Sequence, residues 1–116
     1  MQEPQWATEI IKEICAEFNR TIPQVTWRKR KGTHTTGSMH RRRDGKSARI
    51  VITLGTDSSD HKRVLLHELA HYLNTDGRPH AEGFYVILRR LFIKYGCLDE
   101  YRQKESRYRS SSMLGR

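Results

Sequence analysis

Residues 64–73 read Val-Leu-Leu-His-Glu-Leu-Ala-His-Tyr-Leu. Val64, Leu65, Leu66, Leu69, Ala70 and Leu73 recur at helical spacing and predict an inward-facing helix over about His61–Asn74. Within that apolar helix lie two imidazoles and a carboxylate, His67, Glu68 and His71. Burying such groups is unfavourable unless they find partners, so the run asks for a fold that both covers the helix and supplies those partners.

The spacing suggests what the partner is. Residues four apart on a helix project from one face, one turn from each other, so His67 and His71 can grip a single metal ion from two corners of a tetrahedron. Glu68 lies about a hundred degrees round the helix from His67. It is placed to reach a water on the metal rather than the metal itself. Zinc lowers the pKa of such a water toward neutrality. A neighbouring carboxylate can then take the proton as the water attacks a carbonyl and return it to the leaving amine. The plain alternative is a helix face with no chemistry.

A catalytic zinc takes three protein ligands and keeps a fourth position open. His80, nine residues after His71, is the expected third ligand. The intervening loop Asn74-Thr75-Asp76-Gly77-Arg78-Pro79 can turn at Gly77, with Pro79 fixing the approach. Glu82 and Asp76 are its competitors. His34, His40 and His61 are read as surface groups, and Tyr72, Tyr85, Tyr95 and Tyr101 as candidate donors to a developing oxyanion.

The rest of the chain supplies the cover. Trp6, Ile10, Ile14 and Phe18 predict an amphipathic helix over about Gln5–Asn19, begun by Pro4 and followed by Pro23. Val25 and Trp27 alternate with polar residues in a strand near Gln24–Arg30, and Gly32 and Gly37 mark a loop or bend. A second strand over Thr36–Arg42 and a β-branched strand over Ala48–Leu54 flank Asp44-Gly45, a tight-turn dipeptide. That hairpin places the run Arg41–Arg43 at its tip and offers a strand edge for an extended peptide. Ser58, Ser59 and Asp60 are candidate caps of the central helix, and Gly77 its terminator. A further helix is expected over about His80–Tyr95, and a short polar one at residues 99–109. The expectation is one α+β domain over residues 1–109 with a small antiparallel three-stranded sheet, and a disordered tail over Ser110–Arg116.

Charge is unevenly placed. Between Arg20 and Arg49 there are ten Lys or Arg and one acid, Asp44, which accounts for the whole net charge of +9. Such a segment attracts polyanions, so residues 28–49 are a candidate DNA contact; the alternative is a hairpin that only keeps the protein solvated. No run is long and apolar enough for a membrane span and no secretory pattern opens the chain, so a cytoplasmic monomer is expected. Cys15 and Cys97 read as reduced core thiols.

His67-Glu68-Leu69-Ala70-His71 followed by His80-Ala81-Glu82-Gly83-Phe84 resembles the HExxH…HxxxF signature of the SprT-like zincin metallopeptidases. The specific part of the resemblance is residues 64–84. It implies a zincin-like minimal domain that hydrolyses peptide bonds, with zinc held by His67, His71 and His80, Glu68 as general base, and Phe84 packed beneath the site. It also implies protein substrates associated with nucleic acid. Ala81 stands where many members have glycine. The rival class is a non-catalytic, basic binding module with a structural zinc.

Overall fold

The computed structural model describes residues 1–42, 48–75 and 80–97. The elements run α1 (Gln5–Glu17), β1 (Gln24–Lys29), β2 (Thr36–Arg41), β3 (Ala48–Leu54), a single 3-10 turn (Ser58–Asp60), α2 (His61–Leu73) and α3 (Glu82–Lys94). Every expected element within the described residues is present, each ending within two residues of its expected bounds. The Asp44-Gly45 turn, Gly77, the helix at 99–109 and the tail lie outside the described residues.

The sheet differs from the all-antiparallel one expected. Its order is β1-β3-β2, with β2 antiparallel to β3 and β1 parallel to it. The reason is topological. β3 carries the most apolar sequence and takes the centre, where both edges are paired. The connection over residues 30–35 is short, so β2 starts at the end of the sheet where β1 finishes and runs back. The β2–β3 hairpin reverses direction once more, and two reversals leave β1 and β3 parallel.

Backbone bonds lace that connection over the end of β3: Thr56 donates to Gly32 O at 3.0 Å and Asp57 to Thr33 O at 3.1 Å. The crossing is so close that a Cβ on Gly55 would lie 2.2 Å from Thr33 O, which only glycine permits. Asp57 caps the 3-10 turn, its carboxylate accepting from Ser59 N at 3.0 Å. Asp60, an expected cap, instead accepts from Thr35 N at 3.0 Å and so ties the connection to the start of α2.

All three helices share one core with a single face of the sheet. Ala48, Ile50, Ile52 and Leu54 of β3 point into it and meet Leu65, Leu66 and Leu69 of α2, Ile11 and Ile14 of α1, and Phe84, Leu88 and Leu91 of α3. The intervening residues Arg49, Val51 and Thr53 face away and are exposed or half-buried. Cys15 and Cys97 are both buried. None of the described helices is long and apolar enough to cross a membrane.

Candidate metal centre

Strand alternation decides what faces α2 from the edge strand. The register pairs Gly37 with Ile52, Met39 with Ile50 and Arg41 with Ala48, so these three residues of β2 point to the core side with their β3 partners. Each meets α2 differently. Gly37 lies against Glu68, Met39 packs on the core, and Arg41 reaches the end of the helix.

His67 and His71 project together from α2, with ring centroids 4.9 Å apart. His80, just before α3, completes the group. Its Nε2 lies 3.1 Å from Nε2 of His71 and 3.3 Å from Nε2 of His67. Four-coordinate zinc with bonds of about 2.0–2.1 Å holds its ligand nitrogens about 3.3–3.4 Å apart, so these two separations suit one ion. An imidazole nitrogen carries at most one proton, so Nε2 of His80 cannot satisfy both neighbours by donation. The three histidines are therefore a cluster that can hold a metal ion, and among the described residues no other side chain belongs to it.

His80 enters the cluster through a left-handed backbone, φ 56°. That conformation is unfavourable for a side-chain-bearing residue, by about 1–2 kcal/mol. Such outliers persist where the surroundings over-determine them. Phe84, four residues on and fully buried, forms the floor. Its ring stacks on His71 at 4.2 Å and 24°, and meets His67 and His80 edge-on at 5.0 and 5.1 Å.

Glu68 faces β2 rather than the histidine cluster's floor. It is 6% exposed and makes no side-chain hydrogen bond or ion pair among the described residues. Burial raises its pKa from 4.5 to about 7. Burial also lowers His67 to about 3, reinforced by His71, His80 and Arg63. His71 is lowered to about 4 by burial, then by His80 and Arg41. At neutral pH both imidazoles are thus uncharged, the form that binds a metal.

Two contributors to this site escaped the sequence reading. Gly37, marked as a loop or bend although it falls within the expected strand over Thr36–Arg42, is a strand residue, and a Cβ there would lie 2.8 Å from Glu68 Cγ. Glycine inside a strand signals close approach of another group, which was the available clue. Arg41 does not extend from the hairpin tip. Its Nη2 donates to the carbonyls of His71, Tyr72 and Asn74 at 3.0, 2.7 and 3.0 Å, closing the end of α2 whose last carbonyls have no helical partner. Arg43 lies outside the described residues.

The other candidates disperse. His61 bonds Gly55 O at 2.9 Å and His40 bonds Ser38 Oγ at 3.0 Å. Tyr72 donates to Thr21 O at 2.6 Å and Tyr95 to Glu13 at 2.8 Å, each away from the cluster. Of the candidate tyrosines among the described residues, Tyr85 borders it, its ring centroid 6.3 Å from that of His80. Asp76 and Tyr101 lie outside the described residues, and Glu82 is exposed in the first turn of α3. Comparisons with models of known families, with curated proteins and with solved structures find no match.

Proposed function

We propose that the protein is a zinc-dependent metallopeptidase of the zincin type, with His67, His71 and His80 as metal ligands and Glu68 as general base. The observation that carries this reading is the pairing of two features on one helix. Three imidazole nitrogens converge to ion-binding distance, and beside them a buried carboxylate has no other partner. Three nitrogen donors with no fourth protein ligand among the described residues suit a catalytic zinc better than a closed structural one.

When bound, zinc would polarise the scissile carbonyl and acidify a water. Glu68 does the proton work: its carboxylate accepts the proton that the water loses and gives it to the departing amine. Without a metal ion, burial raises its pKa to about 7; the charge of zinc beside it would favour the carboxylate, the form that takes the proton. Gly37 leaves room for that carboxylate under the sheet edge. The outer edge of β2 has no strand partner among the described residues, so an extended peptide can pair along it beside Glu68.

The test has two parts. Elemental analysis of purified protein should give about one zinc per chain in the parent and much less in His80→Ala. Glu68→Gln should keep its zinc while losing hydrolysis of an unstructured protein substrate cleaved by the parent. Hydrolysis that survives in Glu68→Gln defeats the mechanism, and zinc without hydrolysis in every form favours a structural site.

A further inference from the structure

β2 and α2 run side by side in the same sense. Gly37, near the start of the strand, lies against Val64 and Glu68, and Arg41, at its end, reaches the carbonyls of His71, Tyr72 and Asn74. An extended peptide on the outer edge of β2 pairs best antiparallel, the slightly more stable arrangement. Its chain then runs from the His71 end of α2 toward the Val64 end. With the scissile carbonyl at the three histidines, the residues that follow the cleaved bond pass the first half of α2.

Arg63 stands at that place. It lies four residues before His67, so it shares the histidine face of α2, one turn or about 5.4 Å back along the axis. A strand advances about 3.4 Å per residue, so the first side chain past the scissile carbonyl comes within reach of a long guanidinium arm. Arg63 is half-buried, and its charge is felt at His67. The carboxylates nearest to it on the helix point elsewhere. Asp60, one turn earlier, accepts from Thr35 N at 3.0 Å. Glu68 is five residues on, about 140° round the helix, and faces Gly37.

The donor defines the side chain it selects. A guanidinium fork meets a carboxylate with two parallel N–H groups, and the pair strengthens where water is partly excluded. A Lys or Arg in the same place would meet Arg63 as a like charge. We propose that Arg63 is a specificity-determining residue that reads an acidic side chain, Asp or Glu, on the residue directly after the cleaved bond. This rests on the metallopeptidase reading of the three histidines and Glu68. The substrates are then extended, unstructured segments cut directly before an acid.

The experiment is hydrolysis of a library of short unstructured peptides, varied at every central position, by the zinc-loaded parent, Arg63→Gln and Arg63→Glu proteins, with the products sequenced by mass spectrometry. The parent should cut about tenfold faster before Asp or Glu than before Gln, and slower still before Lys. That preference should shrink as salt rises. Arg63→Gln should abolish the difference between acid and amide while about one zinc per chain is retained, and Arg63→Glu should turn the preference toward Lys. Glu68→Gln, which should not cut, should bind the Glu form of a labelled peptide about tenfold tighter than its Gln form, and equal affinities overturn the contact. Hydrolysis by the parent without an acid preference, or with one that persists in Arg63→Gln, overturns the role of Arg63 and leaves the metallopeptidase reading standing. An acid preference only before the cleaved bond overturns the assigned position. A zinc-loaded parent that cuts no peptide overturns both readings.

Discussion

Gly37 and Glu68 touch across the layer between β2 and α2: a methyl group on Gly37 would lie 2.8 Å from Cγ and 3.0 Å from Oε2 of Glu68. The first is shorter than real side chains show, as is the 2.9 Å to Val64 Cγ1, and the second is tighter than nearly all real contacts. The edge strand therefore sets the position of the proposed general base through the absence of a side chain.

Gly37→Ala should push the Glu68 carboxylate out of place while leaving the histidines where they are. Overpacking of this kind destabilises by about 1–3 kcal/mol. Peptide hydrolysis should fall at least tenfold with about one zinc per chain retained. Elemental analysis beside an activity assay checks this, and parental activity in the variant would show that Glu68 does not need the space.

Arg41 closes α2 at the residue after a proposed ligand and at the ligand itself. Arg41→Gln removes a charged donor from three carbonyls, worth about 1–2 kcal/mol for a partly exposed group. Urea unfolding should register that loss, and zinc affinity should weaken because His71 loses its fixed helix end. An unaltered unfolding midpoint would mean that water serves the carbonyls equally well.

Phe84 and Phe92 are both buried aromatic residues of α3, but only Phe84 carries the imidazoles. Each replaced by Leu should lose stability to a comparable degree, on the order of 1–2 kcal/mol. Zinc affinity, titrated against a competing chelator, should drop in Phe84→Leu alone. Equal affinities would reduce the stacking to ordinary core packing.

The pH dependence of the metal-free protein has two opposed parts. The folded-state pKa values of His67 and His71, about 3 and 4, lie below the ordinary 6.5, so the unfolded chain binds more protons and stability falls as pH drops below 6.5. Glu68 acts oppositely: raised from 4.5 to about 7, it favours the folded state at low pH and loses that contribution as pH rises from 4.5 through 7. Metal-free Glu68→Gln should therefore gain stability relative to the parent between pH 5 and pH 8. Urea midpoints of both proteins across that range provide the comparison, and parallel curves would show that Glu68 titrates normally.

Much of the site was legible in the chain order alone. Four-residue spacing placed His67 and His71 on one helical face, and β3 was bounded correctly by its run of β-branched residues. The reach of His80 followed from a short loop. These are local properties, fixed by backbone geometry over a few residues, and they survive whatever the rest of the chain does. The direction of β1, the role of Gly37 and the destination of Arg41 are different in kind. The expectation was an antiparallel three-stranded sheet, whereas pairing the apolar β3 on both edges made β1 parallel to it and left β2 at the edge. Once β2 became the edge beside α2, its inward positions met the helix, and a glycine and an arginine that look like bend and tip residues became contacts of Glu68 and His71. Periodicity names which side chains share a face; which face they meet depends on how distant segments close the core.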